Sequence, residues 1–329
     1  MSDAEVLAIM KSTLPEGQGS SYGSIERLSL HEVAEKLALC GLTQLDVELA
    51  VANWETFKTQ TELVDALAAI DTWLTINFSA VEPDFPIWDD LFDQGESGRY
   101  LYLYAAVLGI DRVCDYFDSI GVTQLIKSDS LQIVSRHVAI YKKKWGELGT
   151  DAGWWLLLML RGVLFQCGSL QFHRMRIGIS NLAPNPWYSE QQSGELGEGF
   201  ARGDEAFGIH IPQGTNLSPA AIEDSFALAT SQFDSIWPNP KRRLFTLQSW
   251  LLDPQLQDFL SSDSNIVQFQ NRFTLLDNAP IADEDTLEFV FRSPKTELSD
   301  LPRRSSLERG ILNLLDAGGH WHATCGWLK

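Results

Sequence analysis

The apolar positions of this chain change period near residue 160. Before it they recur at steps of three and four, the spacing of helices with one buried face. After it several runs alternate apolar and polar, the spacing of strands. In the first part, Ser29-Leu30-His31-Glu32 has the form of a capping box, with Ser29 as N-cap and Glu32 as its partner. The helix it opens carries Val33, Leu37 and Leu39 and stops at Gly41, which suits the left-handed position after a helix. Leu45, Leu49, Ala52 and Trp54 set out a second helix, and Leu63 to Phe78 a third. Glu82-Pro83-Asp84-Phe85-Pro86 breaks the chain. Two helices are predicted beyond it, over Gly98–Leu108 and Arg112–Ser119. A longer one through Val134, Val138, Tyr141 and Trp145 ends near Gly146, and Thr150-Asp151 is expected to cap the last helix of this part.

In the second part, 163–165 and Leu170–Ile177 have strand period. Residues 181–205 form a polar loop with Pro184, Pro186 and four glycines, a length that points to a lid or another functional loop. Phe207–Pro212 reads as a short strand, and Ser218-Pro219 as the start of a helix that runs to Ile236, with Pro at its first position. Strands are predicted over Leu244–Leu252, Asn265–Leu275, Thr286–Phe291 and His320–Leu328. Short helices are predicted from Asp253-Pro254 to Leu260 and over Ser305–Ala317. The fold class is therefore α+β: an all-helical domain over 1–160, followed over 161–329 by a mixed β-sheet domain with flanking helices.

Charge sharpens this division. The chain has 329 residues with 44 Asp+Glu against 25 Lys+Arg, a net charge of −19. An acidic surface repels nucleic acid and anionic membrane, so neither is expected as a partner. Residues 1–160 hold 24 acids and 11 bases, and residues 161–329 hold 20 and 14. The bases also change type, from 4 Arg and 7 Lys to 11 Arg and 3 Lys. Arginine suits bidentate contact with phosphate and carboxylate, so an anionic ligand is expected in the second half and a cationic one near the first. Cys40, Cys114, Cys167 and Cys325 are far apart and form no metal spacing, so no metal is expected. Met1–Glu5 carries no basic segment leading into an apolar one, and the most apolar stretch, Trp154–Leu160, is far shorter than a spanning helix needs. The expected location is the cytoplasm.

Four blocks then narrow the reading. Ile209-His210-Ile211-Pro212, Ser249-Trp250-Leu251-Leu252-Asp253-Pro254, Ser264-Asn265-Ile266 with Phe269-Gln270-Asn271-Arg272-Phe273, and Gly318-Gly319-His320-Trp321 lie in order at compatible spacing. They resemble a bacterial family of acyltransferases that pairs a helical N-acyltransferase N-terminal domain with a GNAT-like C-terminal domain. The resemblance implies transfer of an acyl group from acetyl-CoA or another acyl-CoA to a small-molecule or peptide amine. It implies no particular acceptor. A non-catalytic ligand-binding or regulatory protein on the same scaffold is the second reading.

Such chemistry needs a held pyrophosphate, a neutral amine and a proton for the departing thiolate. GNAT-type proteins hold the pyrophosphate at a helix N-terminus that follows a central strand, where orphan N–H groups and the helix dipole favour an anion. The stretch from the predicted strand through Arg292 to Arg303, Arg304, Ser305 and Ser306 is the candidate here, although the glycine signature of ordinary GNAT proteins is absent. It also fits a plain capped helix with two solvated arginines, the simpler reading. His210 is the candidate base, because an imidazole titrates near neutral pH. Tyr188 is the one Tyr after residue 160 and the candidate acid, with His320, His322 and Cys325 as alternatives. Asp253 before Pro254 reads as a helix N-cap, and Asp283-Glu284-Asp285 as a turn.

Overall fold

The computed structural model describes residues 22–81, 95–177, 200–238, 244–276, 279–291 and 297–328, together with Glu5, Ala8 and Ser12. Contacts divide the chain into two compact units, Met1–Gln166 and Cys167–Lys329.

The first unit is helical: α1 (Tyr22–Arg27), α2 (Leu30–Leu39), α3 (Gln44–Lys58), α4 (Thr61–Ile76), the single turn α5 (Gly95–Gly98), α6 (Leu101–Ile120), α7 (Gln124–Leu131), α8 (Ile133–Trp145) and the short α9 (Leu156–Leu160). The capping box at Ser29 is present in full, and Gly41, Gly121 and Gly146 take positive φ just past their helices. Trp54 and Phe57 of α3 each meet Tyr104 of α6 edge-on at 4.7 Å, and the Tyr104 hydroxyl donates to the Ala50 carbonyl at 2.8 Å. Asp46 is buried at the start of α3, where its carboxylate takes Lys142 Nζ at 2.5 Å and the Thr43 hydroxyl at 2.7 Å.

Two expectations fail in this unit. The helices expected over 98–108 and 112–119 are one 20-residue helix, α6. Gly109 does not end it: a Cβ there would stand 3.3 Å from Leu160, so the glycine permits close packing instead. Thr150-Asp151 does not cap α9, which is led in by the 3-10 turn Gly153–Trp155 after Ala152 at positive φ.

The second unit is built on a six-stranded mixed sheet in the order β1-β2-β3-β4-β6-β5. The strands are β1 (Leu164–Cys167, at the unit boundary), β2 (Leu170–Arg176), β3 (Glu205–His210), β4 (Phe245–Ser249), β5 (Phe273–Leu275) and β6 (Thr324–Leu328). Strand alternation places Phe172, Phe207 and Phe245 on one face. They pack on Phe226 and Phe233 of α10 (Pro219–Ile236); Phe207 stacks on Phe233 at 4.2 Å. Gln171, His173, Gly208, His210 and Thr246 share the opposite face.

Several expected strands are wrong or too long. Asn265–Gln270 is a helix, α11, because Ser264 caps it by accepting the Val267 N–H; only Phe273–Leu275 remains a strand. Thr286–Phe291 lies within a helix, α12 (Asp283–Phe291), and the supposed turn Asp283-Glu284-Asp285 is its first turn, where three acids complement the helix dipole. The strand expected to start at Leu244 runs Phe245–Ser249 and gives way to 3-10 turns at Trp250–Leu252 and Pro254–Asp258, with Asp253 capping the second as expected. The helix expected from Ser305 is present as α13 (Ser306–Asp316).

Candidate active site

The sheet has one parallel neighbour pair among its described pairings, β3 with β4. It is registered at two positions only, Phe207↔Phe245 and Gly208↔Thr246. Beyond them β3 continues to His210, while β4 continues to Ser249 paired with β6. A parallel pair whose ladder stops at its carboxyl end leaves an opening between two strands, the place where open α/β sheets take ligands.

His210 stands at that end of β3. It keeps part of its surface exposed while its Nε2 is buried. Burial pushes its imidazole down to about 3, so the ring is neutral at physiological pH. The buried His173 of β2 lies on the same face, with the two ring centroids 5.8 Å apart. The sequence alone does not mark His173 as a site residue. Its period-two spacing puts it on one face of β2, but only the β2–β3 register shows that this is the face of His210.

The helix that follows β3 is α10. Its N-cap residue Ser218 makes no side-chain cap, and Gly214 turns the preceding loop at positive φ. The start of α13 differs. Ser305 and Glu308 form a complete capping box, and the Arg304 N–H also donates to the Glu308 carboxylate. Arg303 is held by Asp316 and by Asn313. Since α13 is preceded by helix α12 and a 3-10 turn (Leu298–Asp300), it does not follow a central strand. Ser306 is the first residue of α13, and Arg304 and Ser305 are exposed. Arg292 and Tyr188 lie outside the described residues, as does most of the loop expected to act as a lid.

His320 and His322 lie just before β6 rather than on it. Each is backed by a carboxylate. His320 Nδ1 is 2.7 Å from Asp283 Oδ2, and the other Asp283 oxygen accepts the Trp321 N–H at 2.7 Å. His322 Nδ1 is 3.3 Å from Asp253 Oδ2, which also accepts the His322 N–H at 2.8 Å. Cys325 is buried on β6. Among the described residues no group of three or more His, Cys, Asp or Glu is placed to hold a metal ion, and no helix is long and apolar enough to cross a membrane.

A helical domain joined to a mixed sheet with one opening parallel pair is the architecture of a GNAT-like acyltransferase. The family comparison makes this specific. The N-acyltransferase N-terminal domain matches residues 31–162 and the GNAT-like C-terminal domain matches residues 164–328, so the chain belongs to this acyltransferase family and is an acyltransferase. The expected family and fold are thus borne out. No curated protein matches the sequence. Among solved structures, the chain is similar to a mutant acyltransferase in complex with octanoyl-CoA, with a TM-score of 0.78, 26% identity, and coverage of 100% of this chain and 99% of that one. An acyltransferase in complex with decanoyl-CoA and teicoplanin gives a TM-score of 0.76 at the same identity and coverage. One in complex with CoA and 10C-teicoplanin gives 0.75, again at 26%, 100% and 99%.

Proposed function

We propose that this protein is an acyl-CoA-dependent N-acyltransferase that moves a medium-length acyl chain directly from the thioester to a primary amine. The observation that carries the proposal is the β3–β4 pair, whose ladder ends at Gly208 and Thr246 with His210 at its mouth. The whole-chain likeness to acyltransferases holding octanoyl-CoA and decanoyl-CoA supports both the cofactor and the chain length. Teicoplanin in two of those structures supports an amine on a polar, natural-product-sized acceptor.

In this assignment the thioester arm enters the opening between β3 and β4. The pyrophosphate is held at the start of α10, the helix that follows the central strand and whose cap is left unfilled by Ser218. The α13 start, with Arg303 tied to Asp316, is the weaker place for it. His210 presents a neutral imidazole to the attacking nitrogen and accepts a hydrogen bond from it.

Calorimetric titration with acetyl-CoA, octanoyl-CoA and decanoyl-CoA tests the cofactor and chain length. Decanoyl-CoA should bind at least about tenfold more tightly than acetyl-CoA, because burying two further CH₂ groups at ~0.8 kcal/mol each already supplies that. Thiol release from decanoyl-CoA with glucosamine, an amino acid ester and teicoplanin then tests transfer. His210→Gln should lower kcat by about 10²-fold while leaving decanoyl-CoA affinity unchanged. Absence of binding at millimolar acyl-CoA would sink the proposal.

A further inference from the structure

Acyl transfer to an amine releases a proton from nitrogen and requires one on sulfur. His210 is poorly suited to carry it. Its Nε2 is buried, and burial holds the ring neutral, so a protonated His210 would be a charge placed in a low-dielectric setting. The same end of the sheet offers an imidazole in a different setting. β4 ends at Ser249, which is registered with Thr324 of β6, and the chain on either side of this pair supplies Asp253 and His322. Ile211, next to His210, packs in one apolar cluster with Trp250 and with Trp321, next to His322. That cluster ties the carboxyl ends of β3 and β4 together and brings both histidines to one end of the sheet.

Asp253 is held there as a hydrogen-bond acceptor. Its side chain is 2% exposed and accepts N–H groups from Gln255 at 3.0 Å and from His322 at 2.8 Å, with the Gln255 amide at 3.1 Å. A carboxylate oxygen that accepts these N–H groups acts as acceptor toward the ring as well, so the Nδ1 of His322 facing it at 3.3 Å carries the hydrogen. The Nε2 of His322 is then the basic nitrogen. The side chain is 37% exposed, so the ring is within reach of a reactant. The neighbouring pair, His320 with Asp283, has the more exposed carboxylate, 24% against 2%, and so a less enforced geometry.

We infer that His322, oriented by Asp253, is the proton carrier of the acyl-transfer reaction, an assignment that rests on the acyl-transfer reading above. The amine nitrogen attacks the thioester carbonyl, the C–N bond forms and the C–S bond breaks. The proton leaving nitrogen goes to His322 Nε2 and passes from there to the departing sulfur, so that amine and acyl-CoA become amide and CoA thiol with no external acid. Asp253 keeps its hydrogen bond to Nδ1 throughout and stabilises the imidazolium. His322 is the catalytic residue, Asp253 the positioning residue, and one imidazole serves as base and then as acid.

The test uses the full chain with decanoyl-CoA, and glucosamine or teicoplanin as acceptor. His322→Ala should lower kcat by ~10²-fold or more with decanoyl-CoA affinity unchanged, and added imidazole should restore part of the rate in proportion to its concentration. A purely structural histidine gives no such rescue. Long-range ¹⁵N–¹H spectra of the unliganded wild type supply a second readout that needs no acceptor: His322 should carry its proton on Nδ1, and Asp253→Asn should move it to Nε2. Wild type that transfers while His322→Ala keeps its rate overturns this assignment alone, as does an Nε2–H tautomer in the wild type. Wild type that binds no acyl-CoA removes the acyl-transfer reading and this assignment with it.

Discussion

Ser305 and Glu308 close the start of α13 on each other: the Ser305 hydroxyl accepts the Glu308 N–H at 3.1 Å, and the Glu308 carboxylate accepts the Ser305 N–H at 2.9 Å. A helix N-terminus that already holds a carboxylate has little left to offer a pyrophosphate. The start of α10 carries no such side chain. Ala220, exposed in its first turn, is the position to probe. Ala220→Glu should raise the melting temperature slightly, because an acid in the first turn contributes ~0.3–1 kcal/mol. The same substitution should weaken CoA binding at least about tenfold by putting a negative charge where the pyrophosphate sits. Arg303→Ala with Arg304→Ala should leave CoA affinity within about twofold (under ~0.5 kcal/mol). Calorimetry on the two variants decides between the helix starts, and the reverse pattern would return the site to α13.

The net charge of −19 bears on the acceptor. A cationic amine drawn by an acidic surface arrives faster at low ionic strength, where the screening length is longest. The kcat/KM for a charged amine should therefore fall as salt rises from about 20 mM to about 300 mM, while that for an uncharged hydroxylic acceptor analogue should not. Initial rates of thiol release over that range check this, and a flat profile for the amine would remove charge attraction from the account.

Gly310 tests the packing beneath the Asp253–His322 segment. A Cβ at Gly310 would stand 2.1 Å from the Phe259 ring, and that ring meets Trp321 edge-on at 6.1 Å. In an open helix, Gly→Ala gains roughly 0.5–1 kcal/mol. Here the ring is packed edge-on against Trp321, and overpacking costs ~1–3 kcal/mol. The clash wins, so Gly310→Ala should lower the urea midpoint of the second unit and reduce kcat by disturbing His322. A raised midpoint would show that Phe259 moves aside freely.

Local features were legible in the sequence. The capping box at Ser29, the helix starts at Pro219 and Ser305 and the glycines after α2 and α8 all act within four residues, and each is where its spacing places it. The failures are of two kinds. Thr286–Phe291 alternates like a strand, but three acids at the start of α12 and burial of Thr286 and Leu287 make a helix of it. The break expected between Leu108 and Arg112 is absent, and Gly109 within it is a contact point with Leu160. The site was only half legible for a different reason. His210 has a local signature, but its partner strand β4 begins 35 positions later, and Asp253 meets His322 across 69 residues. No periodicity within one strand reveals a partner brought in by the sheet.

His210 also gives a prediction for stability. Its imidazole stands at about 3 in the folded chain, against ~6.5 in an unfolded one. Below about 6.5 the unfolded state therefore binds a proton that the folded state refuses, and stability falls as pH drops from about 6.5 toward 3. Above 6.5 both states are neutral and the effect vanishes. His137 is half-buried and desolvation shifts it the same way, so it adds an effect of the same sign that does not depend on His210. Urea midpoints at pH 7.5 and pH 5 should differ more in the wild type than in His210→Gln, with a residual difference from His137 and other groups left in the variant. Equal differences in the two proteins would mean that His210 gains a charged partner or open water when protonated, and the neutral hydrogen-bonding role assigned to it would have to be given up in favour of that of a proton-carrying base.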